Sequence, residues 1–259
     1  MKHIVSLSGG SASAVAAERV MHRYGADTVT LWFADTLWED EDLYRFLEDL
    51  EARWEKKIVR HAEGRNPLQI AEDRKLIPNS WAAPCSHLLK QVPFREFLET
   101  IEKPVTVHLG LDWSEGHRHA KPKEIYESIE GVSVDFPLTW EPLPYMDYTN
   151  MIEKWGIDPP RLYALGFPHN NCGGRCVRQG MKEWLRLKQF FPERFTQVRD
   201  WELEQRAKGG ARANRSILKD RKGGTAKPLT LEKLEQDNSD TQIDMFATQG
   251  DSYGCFCEY

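Results

Sequence analysis

The chain reads as an α/β fold, a parallel sheet flanked by helices, followed by a C-terminal helical and irregular extension. Short apolar runs alternate with helical patterns through the first half of the sequence, which is the texture of βαβ units. The first apolar run passes through Leu7-Ser8-Gly9-Gly10-Ser11-Ala12-Ser13 into an alanine- and valine-rich stretch, the join of a buried strand to a helix. With 259 residues, 40% of them hydrophobic, the chain can build such a core without disulfides or a structural metal.

Taken in order, Ile4–Leu7, Val29–Ala34, Lys57–His61 and Val105–Leu109 are the strand candidates. Between them, Ser13–Tyr24, Glu41–Glu55 and Pro93–Ile101 are helix candidates. Parallel strands then end on one rim, where open α/β sheets bind ligands. After Pro137 the texture changes to a proline-rich loop, the short helices Tyr148–Trp155 and Pro160–Leu165, and a stronger amphipathic helix over Gly180–Phe191. Residues 1–195 form one expected domain and residues 196–259 a basic, partly flexible extension. Within the latter, residues 206–228 carry Arg206, Lys208, Arg212, Arg215, Lys219, Arg221, Lys222 and Lys227 against Asp220 alone. That segment reads as mobile, and as either a solvated loop or a clamp on a polyanion. Asp237–Tyr253 is polar and reads as loosely ordered.

Chemistry concentrates first in the loop at residues 8–13. A serine- and glycine-rich turn at a helix start leaves backbone N–H groups unpaired, and the helix dipole favours an anion there. Glycine lets a phosphate approach the backbone closely, and Ser8, Ser11 and Ser13 add hydroxyl donors. An ordinary glycine-rich turn is the competing reading. Asp35 follows the second strand at the same rim and fits either a ligand contact or a helix cap. Trp113 is placed near the ligand, whereas His108 reads as a strand residue and His117 and His119 as loop residues.

The net charge is −5, which gives no global attraction for nucleic acid. No run of 18 apolar residues is present and the N-terminus has no signal-peptide pattern, so the expectation is a cytoplasmic protein with reduced thiols. Five cysteines in that setting suggest a metal, a redox pair or plain burial. Cys172-Gly173-Gly174-Arg175-Cys176 holds two thiols on a glycine turn, Cys85 follows Pro84, and Cys255 and Cys257 lie near the end. This spread fits an iron–sulfur cluster or zinc.

Several segments together resemble the adenine nucleotide α-hydrolase, or PP-loop, superfamily, and within it the phosphoadenosine phosphosulfate (PAPS) reductase family, including its phage-type members. Ser8-Gly9-Gly10-Ser11-Ala12-Ser13 is similar to the SGGxDS loop, with Ala12 in place of the aspartate. Phe33-Ala34-Asp35-Thr36 with Glu39 resembles the motif that holds adenosine. Cys85-Ser86-His87-Leu88-Leu89-Lys90 resembles the cysteine-to-lysine segment of adenylylsulfate reductases, with Ser86 replacing a second cysteine. Gly110-Leu111-Asp112-Trp113-Ser114-Glu115 with Arg118, and the run Pro137-Leu138, Leu162-Tyr163, Gly166-Phe167 to Cys172, complete it.

The resemblance implies a Rossmann-like PP-loop sheet binding ATP or another adenine nucleotide through Ser6, Ser8, Gly9, Gly10, Ser11, Ser13, Asp35 and Gly110. Mg²⁺ would accompany ATP. Lys90 and Arg118 would neutralise charge at the α-phosphate or sulfonate. Cys85, Cys172 and Cys176, with Cys255 as a fourth ligand, would hold a [4Fe-4S] cluster or, alternatively, zinc. Cys255 is also placed as a catalytic thiol, because PAPS reductases carry one in a C-terminal segment. The expected activity is ATP-dependent sulfur transfer using the cluster. The alternatives are release of sulfite from PAPS or adenylylsulfate with a thiol reductant, and a non-catalytic nucleotide-binding module. A nucleic-acid acceptor on residues 206–228 and a homodimer are compatible partners, and a membrane is not.

Overall fold

The computed structural model describes residues 1–141, 147–221 and 224–238. Its centre is a five-stranded sheet of β1 (Lys2–Leu7), β2 (Val29–Asp35), β3 (Ile58–Ala62), β4 (Val105–Leu109) and β5 (Val132–Asp135), in the order β3-β2-β1-β4-β5. All four pairings are parallel, with His3 in register with Val29 on one side and Thr106 on the other. Helices cover both faces, so the inner strands are largely buried rather than alternating between buried and exposed. The strand order reverses at β1, which puts a crevice at the carboxyl ends of β1 and β4.

The two faces have separate cores. On one, α1 (Ser11–Tyr24) and α2 (Glu41–Trp54) pack Ala17, Val20, Leu43 and Leu47 against Val5, Leu31 and Phe33. Asp40 starts α2 by accepting the Asp42 N–H, with Glu41 and Asp42 in the first turn. On the other, α5 (Val92–Thr100) and α6 (Ala120–Tyr126) pack Phe94, Leu98 and Tyr126 against Ile4, Trp32, Val107 and Val134. The helix begun at α4 (Pro84–Ser86) reaches α5 through a π-helical turn, His87–Gln91. Pro93 has no N–H to offer the Leu89 carbonyl, so the chain widens there instead of continuing as α-helix. Lys90 sits on that widened turn.

A third cluster joins the short helix α3 (Pro67–Asp73) to the C-terminal half. After α7 (Tyr148–Lys154) and α8 (Arg161–Ala164), helices α9 (Met181–Phe190) and α10 (Pro192–Ala207) pack Trp184, Leu187, Phe195 and Val198 against Trp38, Leu68 and Ile77. The boundary expected after residue 195 therefore falls within α10, and one apolar cluster spans it.

The basic segment over residues 206–228, expected to be mobile, contains regular structure. Its described part forms an antiparallel hairpin, β6 (Leu218–Asp220) and β7 (Lys227–Leu229), followed by α11 (Leu231–Asp237). The fully buried Glu202 of α10 accepts the Ile217 and Leu231 N–H groups, each at 2.7 Å, and Ile217, Leu218 and Leu229 join the core. Arg212 donates to Gln205 and Lys208 pairs with Glu204. Lys222 and most of the polar stretch after Asp237 lie outside the described residues.

Candidate nucleotide site

β1 delivers the chain to the rim at Leu7, and residues 8–10 turn it into α1. Gly9 has φ +78°, and a Cβ there would meet Leu43 Cδ1 at 2.6 Å. At Gly10 a Cβ would meet the Tyr163 hydroxyl at 2.7 Å. Both positions thus admit only glycine without rearrangement. No acidic side chain lies in the first turn of α1 and no side chain caps it. The loop amides are instead turned onto hydroxyl oxygens. Ser8 N–H donates to Ser13 Oγ at 3.1 Å, Gly10 N–H to Ser8 Oγ at 3.3 Å and Ser11 N–H to the Tyr163 hydroxyl at 3.3 Å. Ser13 Oγ accepts from the Ser8 hydroxyl and donates to the Gly10 carbonyl, both at 2.9 Å. Asn170 Nδ2 donates to the Gly9 carbonyl at 3.0 Å, and the Ser11 hydroxyl is buried without a hydrogen-bond partner. Gly110 follows β4, and a Cβ there would lie 2.9 Å from Ser13 Cα, so its contribution is close packing of strand end against helix start.

Beside the loop, on the α5 face of the sheet, Ser6, Ser8, Trp32, Ala34, Lys90, Phe94 and Tyr126 line a narrow cleft. Three expected site residues, Ser6, Ser8 and Lys90, are brought together here. Lys90 is 9% exposed, and Trp32 packs at a tilt against Phe94 with ring centroids 4.7 Å apart. Asp35 is committed elsewhere: its Oδ1 accepts the Leu37 N–H at 2.8 Å and the Tyr44 hydroxyl at 2.9 Å, holding Leu37 at φ +54°. Arg118 ends the 3₁₀ turn Trp113–Arg118, pairs with Glu115, and is not among the residues lining the cleft. Trp113 stands 60% exposed at the rim, beside the buried Asp112, which accepts from Ser114 and from the Tyr148 hydroxyl.

Two buried acids between β2 and α2 connect this rim to the cysteine loop. Glu39 accepts from Thr36 Oγ1 at 2.7 Å and from the Cys172 N–H at 2.5 Å. Burial pushes its carboxyl up, and the nearby Lys90 charge, Thr36 and the Cys172 amide pull it back. For Asp40, burial alone would act upward, but hydrogen bonds from Arg161 and Arg194 hold it below the usual carboxylate range. Arg194 also donates to the Gly173 carbonyl at 3.0 Å. Sequence reasoning quoted Glu39 within a motif and gave it no role, and it gave none to Asp40, Arg161 or Arg194. The spacing of Thr36 to Glu39 was the available signal.

The cysteine turn Asn171–Gly174 places Cys172, Gly173 and Gly174 at φ +57°, +56° and +76°. Arg175 stacks 3.8 Å over the Trp38 ring and donates to the Trp38 carbonyl, and burial pushes its guanidinium down to about 10. Cys172 and Cys176 are buried in the cluster of Trp38, Phe167 and Leu187, and half-buried Cys85 packs against it. Among the described residues, no three His, Cys, Asp or Glu side chains come together as a metal site. Cys85, Cys172 and Cys176 of the expected ligand set are gathered into one apolar cluster. Cys255 and Cys257 lie outside the described residues.

His108 is fully buried in β4, as a strand residue, with Nε2 3.0 Å from His3 Nδ1 and Asp135 at 3.8 Å. Burial, then the neighbouring His3, pushes it down to about 3. Among the described residues, no helix is long and apolar enough to cross a membrane.

A family model described as the phosphoadenosine phosphosulfate reductase domain matches residues 2–172. Among solved structures, the chain is similar to a phosphoadenylyl-sulfate (PAPS) reductase from Candida auris in a phosphate complex. That similarity has 15% identity and a TM-score of 0.45, covering 64% of this chain and 79% of that one. No curated protein matches the sequence.

Proposed function

Because the chain belongs to the phosphoadenosine phosphosulfate reductase family, whose chemistry is nucleotide-dependent sulfur chemistry, we propose that it is an enzyme that binds an adenine nucleotide at the β1 rim. The phosphates rest on the Ser8–Ser13 loop and the nucleoside lies along the cleft toward Lys90. One observation carries this reading: Lys90, 9% exposed, lines the same cleft as Ser6 and Ser8, next to a helix start whose amides face hydroxyl oxygens. A buried ammonium beside oriented N–H groups stabilises negative charge that develops on a displaced phosphoryl or sulfonyl centre. Glu39 offsets part of the cost of burying Lys90 and holds the Cys172 turn beside the rim.

The reading preferred here is ATP-dependent sulfur transfer. The loop would hold the ATP phosphates while an acceptor carbonyl oxygen attacks the α-phosphorus and pyrophosphate leaves, with Lys90 neutralising the charge. Sulfide-level sulfur then adds to the activated carbon, and AMP departs with the oxygen. Mg²⁺, arriving with ATP, would supply counter-charge to the phosphates held on the Ser8–Ser13 loop. Cys85, Cys172 and Cys176, in one apolar cluster beside the rim, are the residues that would hold an iron–sulfur cluster as the sulfur carrier. The family description favours a second reading, in which a thiol reductant drives release of sulfite from an adenylylated sulfate at the same cleft.

An anaerobic product assay separates the two. Purified protein is incubated with ATP and a sulfide source, and separately with PAPS and thioredoxin. Pyrophosphate release dependent on Lys90 supports sulfur transfer, and sulfite release supports reduction. Neither product, with no nucleotide bound at millimolar concentration, refutes the enzyme reading.

A further inference from the structure

The position a phosphate needs is already filled by the protein itself. Tyr163 lies on α8, a single turn of helix that follows Pro160. Its hydroxyl accepts the Ser11 N–H at 3.3 Å and occupies the space directly over Gly10, where a Cβ would come within 2.7 Å of it. Gly10 and the Ser11 amide are the two features of the loop that let an anion approach the start of α1 closely. The hydroxyl oxygen therefore takes both the donor and the space that a phosphate oxygen would use.

The tyrosine is held there from two sides. Arg161, two residues earlier, pairs with Asp40 and Glu41 at the start of α2, and its N–H donates to Asp42 at 2.7 Å. Asn170, seven residues later, donates to the Gly9 carbonyl at 3.0 Å. The segment from α8 to Asn170 thus lies along the loop, tied at both ends, with Tyr163 between the ties. Within the loop itself the Ser11 hydroxyl is 98% buried, by its 2% residual exposure, and has no hydrogen-bond partner. A buried hydroxyl without a partner costs free energy that an incoming phosphate oxygen would recover.

We propose that Tyr163 is an internal occupant of the phosphate subsite, a specificity residue that a phosphate group must displace from the Ser11 amide before the loop can close on it. The inference rests on the proposed binding of phosphates at this loop. It assigns Tyr163 a cost on binding: an anion that makes several bonds to the loop, such as a pyrophosphate moiety, outcompetes the phenol, whereas a single weakly held anion does not. A net neutral hydrogen bond of this kind corresponds to about a two- to tenfold change in affinity.

The test is calorimetric titration of inorganic pyrophosphate into the wild type and the Tyr163→Phe variant, which keeps the ring and removes the competing oxygen. Tighter binding by the variant, about two- to tenfold, supports the proposal, and a merely structural role for the hydroxyl would move affinity the other way. Equal or weaker binding by the variant, with the wild type binding normally, overturns this inference and leaves the loop reading standing. Binding by neither protein overturns both. A second measurement needs no substitution: in wild-type protein carrying ¹³Cζ-labelled tyrosine, the assigned Tyr163 resonance should shift as pyrophosphate saturates the site. A resonance unmoved at saturation would also overturn the proposal.

Discussion

The loop at residues 8–13 and the turn at residues 171–174 use similar backbone for opposite ends. The first bends through Gly9 and the second through Gly173 and Gly174, all at positive φ, and both lie beside the start of α2. In the first, the amides meet the hydroxyls of Ser8, Ser13 and Tyr163, partners that a phosphate oxygen can replace one for one. In the second, the Cys172 amide is bound to the buried carboxylate of Glu39, and the thiols pack among Trp38, Phe167 and Leu187. Exchangeable hydroxyl partners mark a binding surface. A buried charge-assisted bond in an apolar cluster marks a hinge point that holds its neighbour in place. The two regions are joined directly by Asn170, which precedes the cysteine turn and donates to the Gly9 carbonyl.

Substitutions should separate these roles, and the largest effect belongs to the loop. In Gly10→Val the new side chain meets the Tyr163 hydroxyl and closes the approach to the amides. Adenine-nucleotide affinity should fall at least about 100-fold. Equilibrium dialysis against labelled ATP reads the loss. Next comes Lys90→Met, which keeps the stem and removes the charge. Turnover should drop about 10²–10³-fold while nucleotide still binds, measured as kcat against Kd.

On the hinge side the readout changes from affinity to stability. Asp40→Ala leaves Arg194 and Arg161 facing each other across an emptied site. Because Arg161 is half-exposed, the cost should be about 2–3 kcal/mol, between that of a surface pair and a fully buried one. Urea unfolding measures it. A pH effect follows from His108, away from both regions. Its folded form refuses a proton down to about pH 3, while the unfolded form accepts one below about 6.5. Stability contributed by this group is therefore complete above pH 6.5 and lost as pH falls toward 3. Between pH 7 and pH 5 the wild type should lose about 2 kcal/mol more than His108→Leu, seen as a steeper fall in the urea midpoint. The smallest effect is expected on the hairpin, where Lys219→Ala with Arg221→Ala should leave nucleotide affinity within about twofold, because both residues lie on the outer side of the β6–β7 layer.

The sheet was legible where apolar runs were long. β1, β2, β3 and β4 emerge from the sequence to within about two residues, and β1, β2 and β4 do so because helices bury them on both faces. β5 did not, since Val132-Ser133-Val134-Asp135 is four residues long and pairs only with β4. α10 was missed for a different reason: it turns Glu202 and Gln205 inward along with Phe195 and Val198, which blurs its amphipathic pattern. Those inward polar groups are also what fix the hairpin that the charge count alone made look mobile. At the site, the loop serines and glycines and Lys90 were readable from local motifs. Glu39 with Cys172 and Ser11 with Tyr163 were not, because they meet across 133 and 152 positions and no local spacing encodes such a bond.

The central claim is that an adenine nucleotide binds with its phosphates on the Ser8–Ser13 loop and its body along the Lys90 cleft. Hydrogen exchange of the full chain with and without saturating ATP and Mg²⁺ tests it most directly. The claim predicts slowed exchange at the amides of residues 8–13 and in the turn carrying Lys90, with the hairpin unchanged. Saturable ATP binding that leaves residues 8–13 unprotected would contradict it.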